Sequence, residues 1–229
     1  MSNTTGRSLD AILWDLDGTI IDSEDYWISA EVALAEAHGA RWTHEDGLWQ
    51  VGQGLPVTAQ AMIDKGVNLD IPAIIDYLAE SVLDSLRTAI PWRPGAVQLL
   101  QNAAAHSVRQ GLVTMSVAPI AQFIASSIPG VHFDCVISGD IAHHQKPHPA
   151  PYLQALEILD LSAAQAVAFE DSPSGIASAS SAGAFTIGVR HLVSIEDTDA
   201  DILWDTLSGK TLNDVMQAFS RHEVTNDVN

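Results

Sequence analysis

The chain has 229 residues, of which 47% are apolar and one is cysteine. That is enough for one substantial core with a smaller appendage, and it excludes a disordered, collagen-like or disulfide-stapled protein. Acidic residues outnumber basic ones 29 to 10, a formal charge of −19, and the lysines are only Lys65, Lys146 and Lys210. No basic stripe is available to grip nucleic acid or an anionic membrane surface.

Residues 1–10 are polar and lack the basic start and apolar core of a secretory signal. No apolar run approaches the ~18 residues of a membrane span, so a reducing cytoplasm is the expected location. Ala11-Ile12-Leu13-Trp14 is a run of apolar residues ending at Asp15, the pattern of a strand buried on both faces. From 22 to 90 no comparable strand occurs. Helical patterns cover 27–37, 43–49, 56–65 and 72–87; in the last, Ile74, Ile75, Leu78, Val82 and Leu86 recur at helical spacing while Asp76, Glu80 and Asp84 face away. A small all-helical cap domain, inserted at 22–90 after the first strand, is expected. It closes at Ile90-Pro91-Trp92-Arg93-Pro94-Gly95, where two prolines and a glycine disfavour further helix.

The rest of the chain alternates. Helix-length stretches at 94–108, 119–127, 151–159 and 173–182 separate short apolar runs at 111–114, 131–137, 166–169 and 184–189. Such alternation predicts an α/β fold, a Rossmann-like parallel sheet covered on both faces and built from 1–21 and 91–229. Cys135 falls inside one of those runs as a small hydrophobe. The polar stretch after Phe219 is expected to fray, and so short a tail favours a monomer.

Chemistry concentrates at the ends of the predicted strands. Trp14-Asp15-Leu16-Asp17-Gly18-Thr19 sets two carboxylates where open α/β sheets hold their ligands. Gly18 permits a backbone break that brings both into one pocket, where one can act as nucleophile and the other as proton shuttle. The alternative is a polar strand exit that caps a helix. Phe169-Glu170-Asp171-Ser172-Pro173 repeats the pattern later, although Asp171 could simply cap the helix after it. In a parallel sheet these ends share one edge. Carboxylates gathered there need a cation to stay ionised, and oxygen-only ligands point to Mg²⁺, which leaves room for water and a substrate phosphate oxygen.

Lys146, in Gln145-Lys146-Pro147-His148-Pro149, is a stiffly held ammonium able to neutralise both a nucleophilic carboxylate and a phosphoryl oxygen. Leu112-Val113-Thr114-Met115-Ser116 ends a strand in hydroxyls suited to phosphoryl oxygens, although Thr114 could serve only its β-propensity. His143, His144 and His148 crowd Lys146. His144 and His148 have zinc spacing, but Pro147 and Pro149 oppose the helix it requires, so loop histidines near the site mouth are expected instead.

These segments, in this order and each at a strand end, resemble the haloacid dehalogenase superfamily over nearly the whole chain. The resemblance implies that Asp15 is the nucleophile, forming an aspartyl-phosphate, and that Asp17 is general acid and base, with its main-chain carbonyl on Mg²⁺. It makes Thr114 and Lys146 phosphate-binding, Glu170 and Asp171 metal ligands with Asp15, and the helical insertion a cap that excludes water and contacts the leaving group. Asp15-Leu16-Asp17-Gly18-Thr19-Ile20-Ile21-Asp22-Ser23-Glu24 looks like the β-phosphoglucomutase-like group and its sugar-phosphate phosphatases.

Within that resemblance, dehalogenases lack the second Asp, and phosphonate hydrolases need a cap lysine, for which only Lys65 is available. Mutases carry a cap histidine twelve residues after the nucleophile and a basic cap loop. Here those places hold Trp27 and Gln50-Val51-Gly52-Gln53-Gly54-Leu55-Pro56, and between residues 24 and 87 eleven acidic residues face only Arg41, Lys65 and Arg87. The expected function is therefore Mg²⁺-dependent hydrolysis of a small phosphorylated metabolite, a sugar or polyol phosphate. Trp27, Gln50 and Gln53 are candidates for leaving-group contact, with cap packing the alternative for Trp27. A sugar-phosphate mutase and a catalytically silent binding protein on this fold are the competing readings.

Overall fold

The structure, a computed structural model, describes residues 8–226, so the reading of residues 1–7 lies outside them. In chain order, β1 (Ala11–Trp14) leads into four helices, α1 (Glu24–Ala37), α2 (His44–Leu48), α3 (Leu55–Asp64) and α4 (Ile71–Thr88). Then follow α5 (Ala96–Ala105), β2 (Arg109–Val113), α6 (Ala118–Ser127), β3 (Cys135–Ile137), α7 (Ala150–Leu159), β4 (Ala166–Glu170), α8 (Pro173–Ser181), β5 (Phe185–Val189), β6 (Ile202–Trp204) and α9 (Leu212–Asn226). Helices α3, α4, α6, α7 and α8 each carry proline in their first two positions, where its missing N–H removes no helical hydrogen bond.

All strand pairs are parallel, in the order β3-β2-β1-β4-β5-β6. Every residue of β1 is fully buried, because helices cover both faces. Ile12 and Trp14 join Leu99, Leu100, Val215 and Phe219 on one face, whereas Ala11 and Leu13 join Tyr152, Leu156 and Ala179 on the other. Trp14 stacks on Phe169 of β4 with centroids 4.5 Å apart, and its indole N–H donates to Gln110 Oε1 at 3.1 Å, so the buried polar atom is satisfied. Cys135 is buried, and burial pushes its thiol up to about 12, which keeps it inert.

Helix α4 buries Ile74, Leu78, Val82 and Leu86, one residue per turn, against α1 and α3. The chain enters and leaves α1–α4 through neighbouring segments: Asp22 N–H donates to Pro91 O at 2.7 Å and Arg93 N–H to Ile20 O at 2.9 Å.

Three elements differ from expectation. Strand β6 pairs with β5 although its three residues are too few to show a period. β3 begins only at Cys135, because Asp134 is spent on Gln110: its Oδ2 accepts the Gln110 N–H at 2.9 Å. The C-terminal stretch, expected only as a polar tail, forms α9 as far as Asn226, and residues 227–229 lie outside the described ones. Leu212, Val215 and Phe219 share one buried face against α5, and Asn102 Oδ1 accepts the Leu212 N–H at 2.8 Å. Among the described residues, no helix is long and apolar enough to cross a membrane.

Candidate active site

Strand order reverses at the β1–β4 pair, the place where an open parallel sheet leaves a crevice beyond its strand ends. The Asp15 N–H still donates to Phe169 O at 3.0 Å, so pairing holds Asp15 level with the end of β4. The backbone then breaks at Gly18, whose φ of +87° suits glycine; a Cβ there would stand 1.9 Å from Asp171 Oδ2. Asp171 does not cap α8, since Ser172 accepts the Gly175 N–H instead. Asp171 is thereby free to join Asp15 and Glu170, and one oxygen of each lies within 4.8 Å of the others.

Lys146, reaching in from the loop between β3 and α7, is the cation of this cluster. Its Nζ donates to Asp15 Oδ1 at 2.7 Å, Glu170 Oε1 at 2.6 Å and Val113 O at 2.9 Å. Burial alone would depress its pKa, but Asp15 and Glu170 outweigh that and raise it, so Lys146 stays charged. Tyr152 Oη donates to the same Glu170 oxygen at 2.5 Å. Three buried carboxylates against one ammonium leave two negative charges in excess. Burial accordingly pushes Asp15 up to about 7, with Lys146 opposing and Glu170 reinforcing. Asp171 is raised well above the carboxylate range by burial, then by Asp15 and Glu170. Asp15 Oδ2 and Glu170 Oε2 are buried without a hydrogen-bond partner. Unpartnered oxygens and two surplus charges fit a divalent, oxygen-ligated cation.

Asp17 stands outside that group. Ser23 Oγ (2.5 Å) and Trp27 Nε1 (3.2 Å) donate to its Oδ1, and Ser116 Oγ (2.6 Å) to its Oδ2. Thr114 Oγ1 lies 3.4 Å from Oδ2 and accepts the Ser116 N–H at 3.0 Å. Ser23 opens α1 without capping it, because its hydroxyl is committed to Asp17.

A cleft runs from these residues along α1 and the segment from Gly47 to Thr58. Asp15, Asp17, Thr114, Lys146 and Asp171 line it together with Trp27, Gln50 and Gln53, whereas Glu170 sits beneath, fully buried. Trp27 thus does both things open to it: its ring packs partly on the core and its N–H reaches Asp17. The Ser116 hydroxyl, expected to serve phosphoryl oxygens, donates to Asp17 here. Sequence reasoning passed over Ser23, a hydroxyl just beyond the β1 exit, Tyr152, which has the pattern of helix core, and Glu24 and Glu31, two acidic residues of a charged insertion. The histidines depart from expectation. None lines the cleft, and the rings of His144 and His148 meet at a tilt of 36° with centroids 4.4 Å apart. His148 Nδ1 instead accepts the Ala150 N–H at 3.1 Å, at the start of α7.

The profile of the haloacid dehalogenase-like hydrolases matches residues 12–189, spanning every segment of the cluster. The chain belongs to this family. It is similar to validoxylamine A 7′-phosphate phosphatase of Streptomyces hygroscopicus subsp. limoneus, 29% identical over 204 residues, covering 86% of this chain and 93% of that protein. It is also similar to the phosphorylated carbohydrates phosphatase of Thermotoga maritima, 28% identical over 189 residues, 80% of this chain and 86% of that one. Among solved structures, CbbY of Rhodobacter sphaeroides in complex with phosphate matches this haloacid dehalogenase-like hydrolase with a TM-score of 0.81 and 27% identity, over 90% of this chain and 98% of that one. β-Phosphoglucomutase of Clostridium difficile matches at 0.81 and 19% identity, over 94% and 99%, a likeness of fold alone.

Proposed function

We propose that the protein hydrolyses a small phosphomonoester, a sugar or polyol phosphate in the cytoplasm, through an aspartyl-phosphate on Asp15. One observation carries the reading. The Lys146 ammonium engages Asp15 Oδ1 while Oδ2 is left unpartnered in the cluster with Glu170 and Asp171. Lys146 favours the ionised, nucleophilic form of Asp15 and offers a positive charge to the phosphoryl group.

An oxygen of Asp15 attacks phosphorus, an O–P bond forms, and the bond to the leaving oxygen breaks as Asp17 delivers its proton there. Asp17, now a carboxylate steadied by Ser23, Trp27 and Ser116, takes a proton from water. That water attacks the aspartyl-phosphate, releases inorganic phosphate and restores Asp15. Thr114 is placed to hydrogen-bond a phosphoryl oxygen. Mg²⁺ held by Asp15, Asp171 and the Asp17 main-chain carbonyl, with Glu170 direct or through water, would neutralise charge on the phosphoryl oxygens.

We assign residues 22–90 as the cap and 1–21 with 91–229 as the catalytic core, supported by the paired entry and exit segments. The names of the two phosphatase relatives support a carbohydrate-like leaving group. Among the described residues, Lys146 is the single Lys or Arg lining the cleft, so a bisphosphate, and with it a mutase cycle, finds no second cationic anchor. Phosphate release from a panel of sugar, polyol and nucleotide monophosphates with Mg²⁺ tests the proposal. Wild-type protein should turn over a sugar or polyol phosphate and Asp15→Asn should not. Turnover by Asp15→Asn, or isomerisation of a hexose 1-phosphate without phosphate release, would overturn it.

A further inference from the structure

We infer that Glu31 sets the leaving-group specificity of the cleft by accepting hydrogen bonds from hydroxyls one helical turn beyond the phosphoester oxygen. The inference rests on the phosphatase reading and deepens it. Glu24, Trp27, Ile28 and Glu31 follow one another at helical spacing along α1, and all four line the cleft. They form a single stripe of that helix. Trp27 contacts Asp17, so the oxygen that Asp17 protonates lies next to Trp27. Glu31 is one turn farther along, about 6 Å by helical rise, a distance that the ring of a sugar spans.

Glu31 is only 4% exposed. Its Oε2 accepts the indole N–H of buried Trp42 at 2.9 Å. Glycine occupies position 47 within α2, where it weakens a helix; a Cβ there would stand 2.7 Å from Ile28 Cγ1 and 2.9 Å from Glu31 Oε2, so its absence lets α2 close over Glu31. Satisfying Trp42 needs only a neutral acceptor, which a glutamine supplies without a buried charge. Burial pushes the Glu31 carboxyl up to about 7, opposed only by the Trp42 bond. A carboxylate is therefore an unfavourable choice for packing and a favourable one for gripping hydrogen-bond donors.

A second acceptor points the same way. Gln50 lines the cleft, and its side-chain Oε1 is buried with no partner. A hydroxyl-rich leaving group can donate to both. A leaving group bearing carboxylate or phosphate would instead meet ionised Glu31 with, among the described residues, no cation on the α1 side of the cleft.

The test compares wild-type and Glu31→Gln protein, a substitution that keeps an acceptor for Trp42. Mg²⁺-dependent kcat/KM is measured at pH 8, above the value of about 7 to which burial pushes Glu31, for a hexose 6-phosphate, phosphoglycolate and phenyl phosphate. Glu31→Gln should lower the hexose phosphate value roughly tenfold, chiefly through KM, as a charged acceptor becomes neutral. It should raise the phosphoglycolate value and affect phenyl phosphate least, since that ester has no hydroxyl to donate. A wild-type preference for phosphoglycolate, an unchanged ratio between the first two esters, or an equal loss on all three would each overturn the inference. Calorimetric binding of the same esters to Asp15→Asn protein, with and without Glu31→Gln, reads selectivity without turnover. Failure of the phosphatase reading then appears as absent wild-type turnover, and failure of this inference as selectivity that Glu31→Gln leaves untouched.

Discussion

The buried Glu31 carboxyl should make the protein less stable as pH rises, and Glu31→Gln should remove that loss. Burial holds this carboxyl at about 7 against 4.5 for an ordinary glutamate. Between those pH values the folded protein keeps a proton that the unfolded chain has released. The contribution to stability is thus complete below pH 4.5 and is lost as pH rises through 7. A difference of that size in proton affinity corresponds to roughly 3 kcal/mol. Glutamine has no proton to lose and still accepts from Trp42. Urea unfolding followed by circular dichroism at pH 5 and pH 8 measures the effect. The stability gained by Glu31→Gln over wild type should be larger at pH 8 by about 2–3 kcal/mol. An equal difference at both pH values would refute the reasoning, because it would mean that Glu31 ionises in the folded protein as easily as in the unfolded chain.

Further consequences follow from the strand-edge cluster. Mg²⁺ should raise the melting temperature, and chelation should reverse it; because Asp15 and Asp171 are held up by burial and must ionise to bind the ion, the thermal shift should grow from pH 5 to pH 8. A shift that is constant over that range, or absent, would count against a site at Asp15, Glu170 and Asp171. Lys146→Met leaves buried Asp15 and Glu170 without their ammonium; phosphatase activity should fall at least a thousandfold and stability at pH 8 by about 3–5 kcal/mol, with a smaller loss at pH 5, where Asp15 keeps its proton. Near-normal stability at pH 8 would show that the carboxyls are solvated. Ser116→Ala removes the 2.6 Å donor to Asp17 Oδ2 and should lower kcat about 10- to 100-fold, the worth of a charge-assisted hydrogen bond, with KM nearly unchanged. A change confined to KM would place Ser116 on the substrate instead.

Much of the architecture was legible in local pattern. Ala11-Ile12-Leu13-Trp14 had to be a doubly buried strand because no polar side chain interrupts it, and the spacing of Ile74, Leu78, Val82 and Leu86 required a helix with one buried face. Once the strands are parallel, Asp15, Asp17, Thr114, Glu170 and Asp171 necessarily come to one sheet edge, since each follows or ends a strand. Periodicity carried less information where elements were short or polar. β6 has three residues, and α9 shows its apolar face only through Leu212, Val215 and Phe219 among acidic and polar neighbours.

The tertiary structure decided the partners of each side chain. Ser116 and Asp17 are 99 residues apart, and Lys146 and Asp15 are 131 apart; hydrogen-bond geometry between them depends on the register of β1 with β2 and on where the β3–α7 loop lands. Glu31 shows the difference most plainly. In sequence it is one of many acidic residues of a charged insertion, and by composition it belongs at the surface. Only the placement of α1 against the strand edge, with Gly47 allowing α2 to approach, makes it a buried acceptor in the cleft. Composition and period determine which residues tend to be buried, because burial energy is summed over whole faces. Which charge is buried beside which donor depends on distances of a few ångströms, and those arise only when the elements pack.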